Sequence, residues 1–169
     1  MNDSEINKIL YSEAKELKMC DSVHRMWYEK TFSPNELASI MYANLDFCIN
    51  TRWPNSVEFR NLFDIKTLRE NGIVADDEYS LYNPTHSYIL GKSFSKIRYN
   101  GFSVCRTTII DSSECEITAK GHTIVTIHLY DRAKIKVTVC DNANVLIIRH
   151  SSFCTCDVVG NATIKNSIS

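Results

Sequence analysis

Residues 113–149 read SECEITAKGHTIVTIHLYDRAKIKVTVCDNANVLIIR, and a small residue recurs at every tenth position, at Ser113, Thr123, Ala133 and Ala143. The series extends backwards through Ser103 to Ser93. Two residues after each small position stand Ser95, Cys105, Cys115, Val125, Ile135 and Val145, and two further on stand Ile97, Thr107, Ile117, Ile127, Val137 and Ile147. Tyr99, Ile109, Ala119, Leu129, Val139 and Arg149 follow, and then Gly101, Asp111, Gly121, Asp131, Asp141 and Ser151. Alternate side chains of a strand share one face, so each unit reads as a strand burying its odd-numbered residues. Gly, Asp and Ser are turn formers, so each unit ends at a corner. Six units in register make an internal repeat.

A ten-residue unit suits two architectures. One is an antiparallel β meander with a hairpin at each corner. The other is a flattened β-solenoid, right-handed and β-helix-like, in which two units make one coil and residue i lies beside residue i+20. Coiling places Glu114 beside Lys134 and Glu116 beside Lys136, lateral pairs of opposite charge that favour strand neighbours. The solenoid is the expected form. Beyond Ala143 the pattern decays: Phe153 takes a small-residue position, Asp157 an apolar one, and Ala162 arrives one residue early. Terminal units of a stack are atypical because they close an open end, so Phe153 and the shortened unit are expected to form a cap.

The same stacking sorts the outward residues. One sheet shows Lys96, Arg98, Glu114, Glu116, Lys134 and Lys136 to solvent. The other directs Val104, Ile124, Leu146 and Ile148 outward, among Arg106, Thr108, Thr126 and His128. Apolar residues on an outer face call for a cover. The N-terminal helices supply one, a protein partner or homodimer the other.

The first half is helical in pattern. Ile6, Ile9, Leu10, Ala14 and Leu17 predict an amphipathic helix over 4–18, and Val23, Met26 and Trp27 a second, shorter one. Ser33, Pro34 and Glu36 spell a capped start for a helix running to about Asn50, and Asn55 or Ser56 starts another with Val57, Phe59, Leu62 and Phe63. Trp27 and Trp53 sit within apolar patterns and read as core. The chain is therefore expected to be α+β, with a helical region 1–72, a connector with short strands 73–92 and a β-repeat domain 93–169, packed as one body. Tyr79, Tyr82 and Tyr88 flank Asn83-Pro84 in an apparent loop, and they are the aromatics expected to be exposed.

The chain has 169 residues, and its charge divides unevenly: residues 1–92 hold 10 basic against 14 acidic residues, and residues 93–169 hold 9 against 6. The basic excess of the second half raises a nucleic-acid contact through Arg98, Arg106, Arg132, Lys134 and Lys136 as an alternative function. No apolar run approaches a membrane span, and the polar start MNDSEINKIL has no secretory pattern. The 7 cysteines lack disulfide-framework spacing. A cytoplasmic location without membrane association is the expectation.

Catalytic chemistry is thinly represented. There is no G-x-S-x-G, no Gly-rich phosphate loop and no H-E-x-x-H, so no cofactor is expected and an enzymatic role is not favoured. His150, Cys154 and Cys156 form a weak candidate for zinc or hydrolytic chemistry, since thiolate and imidazole suit that ion but a second paired motif is missing. Cys105 and Cys115 fall on inward positions and read as small core hydrophobes. Asp76, Asp77 and Glu78 read as a solvated acidic turn.

The helical stretch Asp46-Phe47-Cys48-Ile49, followed by Trp53-Pro54 and Phe59, precedes tandem units such as Ala133-Lys134-Ile135-Lys136-Val137 and Asn161-Ala162-Thr163-Ile164-Lys165. In this the chain resembles a loose group of small proteins from bacterial mobile elements and phages, which have a helical leader and tandem β-units. This chain departs from them in being less regular after Arg149. The resemblance implies an accessory role in which the repeat is a rigid presentation surface. It also implies a host protein or ribonucleoprotein complex, such as a defence nuclease, as the partner to be inhibited or modulated.

Overall fold

A computed structural model describes residues 2–167, apart from the side chains of Tyr28 and Glu29. Two compact units follow one another, Met1–Thr67 and Leu68–Ser169.

The first unit holds α1 (Asp3–Glu16), α2 (Asp21–Glu29), α3 (Pro34–Ala43), α4 (Leu45–Thr51) and α5 (Ser56–Leu62), and α6 (Ile65–Glu70) crosses into the second. Asn2, Ser33 and Asn55 each accept a hydrogen bond from the backbone three residues on and receive the reciprocal Glu contact, so three helices begin with a capping box. The helix expected to run from Pro34 to Asn50 is two helices. Asn44 Nδ2 donates to the Ile40 carbonyl at 2.8 Å, and Asn44 leaves helical geometry at φ −121°. Its side chain competes for the carbonyl that the next turn needs, and the axis restarts at Leu45. A buried Asn7 ties the unit together. Its Oδ1 accepts from Trp27 Nε1 at 3.0 Å and from the Phe32 N–H at 2.9 Å, while Nδ2 donates to the Phe32 carbonyl at 2.6 Å.

The second unit is the expected β-solenoid, and every strand pairing is parallel. A six-stranded sheet holds β1 (Ile73–Ala75), β3 (His86–Leu90), β5 (Val104–Ile109), β7 (Ile124–Leu129), β9 (Asn144–Arg149) and β11 (Thr163–Asn166) in that order. A five-stranded sheet holds β2 (Glu78–Tyr82), β4 (Phe94–Tyr99), β6 (Glu114–Ala119), β8 (Lys134–Val139) and β10 (Thr155–Val159). Hairpin-joined units would pair antiparallel, so the meander is excluded. Glu114 lies opposite Lys134 and Glu116 opposite Lys136, as coiling requires. Lys134 Nζ reaches Glu114 Oε1 at 2.9 Å, whereas the Glu116 carboxylate turns to Lys96 on its other side, at 3.7 Å.

The stack begins at Ile73, twenty residues ahead of Ser93. Ile73 pairs with Tyr88 and Glu78 with Phe94, offsets of 15 and 16 residues, so the first coil is too short to carry the ten-residue signature. Tyr79 and Tyr82 accordingly lie on β2 and not in a loop, while Tyr88-Ile89-Leu90 lies on β3, one of the short strands expected of the connector. The acidic run is likewise built in. Asp77 holds both Arg69 Nε (2.9 Å) and Nη2 (3.1 Å), and Asp76 Oδ1 accepts the Lys92 N–H at 2.8 Å.

The interior is an apolar column including Ile97, Ile117, Val137, Ile127 and Ile147, with the small positions Ser93, Ser113, Thr123 and Ala133 buried at the bends. One polar knot interrupts it: Tyr99 Oη and Ser87 Oγ both meet Thr107 Oγ1, at 2.5 and 3.0 Å. At the corners Asp111, Asp131 and Asp141 adopt φ of 61°, 54° and 57°, and Gly101 and Gly121 are also left-handed. Gly takes this conformation freely and Asp more readily than most residues, which explains their recurrence there. A Cβ on Gly121 would lie 3.0 Å from the Gly101 backbone N and O, so coils touch backbone to backbone at that edge.

The C-terminal coil is not capped as expected. Lys134 pairs with Thr155, an offset of 21, so one extra residue enters the corner. It is Cys154 that turns inward, with Sγ donating to the Asp131 carbonyl at 3.5 Å, and Phe153 is thrown outward, 72% exposed.

Candidate functional site

The outer face of the six-stranded sheet carries the apolar residues singled out from the sequence. Register places Val104 beside Ile124, Thr126 beside Leu146, and His128 beside Ile148. Val104 is 72% exposed and Ile124 50%, while His128, Leu146 and Ile148 are half-buried. Phe102, at the corner preceding β5, is 85% exposed and lies flat on the His122 ring, with centroids 4.8 Å apart and planes at 9°. Phe102, His122, Val104 and Ile124 thus form one apolar strip at the start of two adjacent strands. Phe102 was not among the expected candidates. Its signal was available: the equivalent corner positions carry Ser112, His122, Arg132 and Asn142, all polar.

At the opposite ends of these strands the His150 ring stacks on Tyr130 at 4.1 Å, and His128 Nδ1 approaches His150 Nε2 at 3.1 Å. The cluster is aromatic stacking along the coil axis. Of the three tyrosines expected to be exposed, Tyr82 is exposed at 68%, Tyr79 is half-buried under the Arg69 guanidinium at 4.5 Å, and Tyr88 is buried. Tyr88 is therefore removed from the candidate surface.

The basic residues do not make one patch. Arg98, Lys134 and Lys136 project from the five-stranded sheet, Arg106 from the other sheet, and Arg132 from a corner. One lateral row reads Lys96, Glu116, Lys136, Asp157, alternating in sign. Arg132 and Lys134 do share an open groove of about 460 Å³ with Lys92 and Phe94, but Glu114 lies in it and neutralises Lys134. A phosphate backbone needs a continuous run of positive charge, which this arrangement interrupts.

His150, Cys154 and Cys156 are not brought together: His150 lies on Tyr130, Cys154 points to the Asp131 carbonyl, and Cys156 faces the core opposite Ile135. Among the described residues no three His, Cys, Asp or Glu side chains converge as metal ligands. Burial pushes the Cys115 and Cys154 thiols up, which disfavours the reactive thiolate. Cys48 is pushed up to about 12 for the same reason. Cys105 and Cys115 are buried in the column, as their inward positions predicted. No helix among the described residues is long and apolar enough to cross a membrane.

No family model, curated protein or solved structure matches this chain.

Proposed function

We propose that this is a non-enzymatic interaction protein whose solenoid holds the strip Phe102, Val104, His122 and Ile124 rigid for a protein partner. The observation that carries the reading is the exposure of three large apolar side chains at adjoining positions, 85%, 72% and 50% for Phe102, Val104 and Ile124. Clustered apolar exposure of this kind marks an interaction surface, and Phe is an anchor favoured in such sites. Val104 and Ile124 sit on regular parallel strands and Phe102 and His122 on the corners that lead into them, so little ordering entropy opposes binding. The resemblance to accessory proteins of mobile elements and phages suggests the partner's class: a cytoplasmic host protein or ribonucleoprotein complex that binding would inhibit or modulate.

The test is co-purification from a bacterial host with the unaltered chain, the double variant Val104→Glu/Ile124→Glu, and Lys134→Glu as a control on the other sheet. The proposal expects a stoichiometric partner that is lost with the double variant and kept with the control. A partner retained by the double variant, or none recovered by any form, contradicts it.

A further inference from the structure

We infer that the C-terminal coil is a self-association edge, at which two copies of the chain join end to end with β10 of each beside β11 of the other. This goes beyond the proposed partner surface, which lies on a different face. In the coil before, the inward residues Ile135, Val137 and Ile147 are all buried. Their counterparts in the last coil, Cys156, Val158 and Ile164, occupy the same inward rows by register, yet Cys156 and Val158 are half-exposed and Ile164 is 47% exposed. Among the described residues the solenoid interior is therefore open at this end. The sheets terminate in β10 and β11, and among the described residues no strand lies beyond either. An edge of this kind offers a row of backbone donors and acceptors to another strand. Phe153, one residue outside the corner position that would fold it inward, leaves the opening uncovered.

The other end of the stack does not match. All three residues of β1 are buried, with Ile73, Val74 and Ala75 at 2%, 0% and 1% exposure. In β2, the other edge strand there, the inward Leu81 is 8% exposed and Tyr79 lies under the Arg69 guanidinium, so this end is covered. Head-to-tail stacking needs two open ends, so the pairing available is isologous, and it closes at two copies. The chain runs forth in one sheet and back in the other, so both two-fold arrangements pair strands antiparallel, and charge chooses between them. A two-fold axis normal to the sheets sets β10 against β10 and β11 against β11. That brings Asp157 towards Asp157 and Lys165 towards Lys165, since both project outward from these strands. An axis along the strands sets β10 against the second copy's β11, and Asp157 then faces Lys165 twice. Opposite charges on neighbouring strands are favourable and like charges are not.

Sedimentation velocity of the full chain, from low to high micromolar concentration, tests this with Asp157→Lys, Lys165→Asp and their combination. All four forms should retain their circular dichroism, because both residues are exposed. The expected result is a concentration-dependent dimer that either single reversal weakens by roughly tenfold, through two symmetry-related like-charge pairs, and that the double reversal restores. Val104→Glu should leave the dimer unchanged, which separates this edge from the partner strip. A chain that stays monomeric throughout, a dimer indifferent to both single reversals, or one that the double reversal fails to restore would overturn the inference.

Discussion

Asp131 Oδ2 accepts the backbone N–H of Asp111 at 3.1 Å, across one coil of the stack. The same bond joins Asp111 Oδ2 to the Gly91 N–H at 2.8 Å and Asp141 Oδ2 to the Gly121 N–H at 3.2 Å. Each corner aspartate thus does two jobs: it adopts the left-handed turn and satisfies the corner above it. Asp131→Ala should cost about 2 kcal/mol, roughly half from the bond and half from placing a Cβ-bearing residue without a polar side chain in that conformation. Asp131→Asn, which keeps a carboxamide oxygen and tolerates the turn, should cost less than about 1 kcal/mol. Urea unfolding of the two variants separates these terms, and equal losses would contradict the ladder.

Tyr99 supplies a pH-dependent test. Burial raises its phenol from the ordinary 10.0 to about 12, because the phenolate would lie in the apolar column beside Thr107. A folded-state value above the unfolded one means stability that is complete below pH 10 and is lost as pH climbs towards 12. Tyr99→Phe removes the titration and should cost about 1 kcal/mol at neutral pH through the lost hydrogen bond. Its stability should then fall less steeply across the alkaline window. Denaturation midpoints at neutral and alkaline pH give the comparison, and parallel declines in both proteins would tell against the assignment.

Asn7 is the corresponding test in the helical unit. Asn7→Leu leaves the Trp27 indole N–H and the Phe32 N–H and carbonyl without the partners they now have. Stranding buried polar groups should cost about 3 kcal/mol or more. Tryptophan fluorescence during urea unfolding reports it, and an unmoved midpoint would refute the role given to Asn7.

The lateral ion pair should matter little to stability. Lys134 and Glu114 are both about half exposed in their side chains, so water and salt screen their attraction. Lys134→Ala should change unfolding free energy by less than about 1 kcal/mol, with the difference shrinking as salt rises. A larger, salt-independent loss would mean that the pair is worth more than its exposure allows.

Much of the solenoid was legible because its middle coils repeat at a fixed length. Wherever the coil is twenty residues, periodicity in small, apolar and turn residues reads out the register directly, as Glu114 opposite Lys134 illustrates. Coils of other lengths were hidden. Ile73 pairs with Tyr88 after 15 residues, and Thr155 sits 21 residues from Lys134, so neither end shares the phase of the middle. The misjudged cap follows from this: a single inserted residue exchanges Phe153 for Cys154 at the inward position. In the helices, the capped start at Ser33 was readable and Asn55 was one of two candidates for the later start, but Asn44 binding the Ile40 carbonyl interrupts an otherwise continuous apolar pattern. On the surface, strand parity located Val104 and Ile124. Parity says nothing of a corner, so Phe102 was passed over although the equivalent corner positions Ser112, His122, Arg132 and Asn142 are polar.

Twenty-residue stacking is what places Phe102 on His122 and Val104 beside Ile124, and nuclear Overhauser contacts between backbone protons test it most directly. The expected pattern links each strand residue from 104 to 129 with the residue twenty positions later, including Val104 with Ile124 and Glu114 with Lys134. Contacts instead joining consecutive units in antiparallel order, with none between those two pairs, would contradict the coiled chain and the strip built on it.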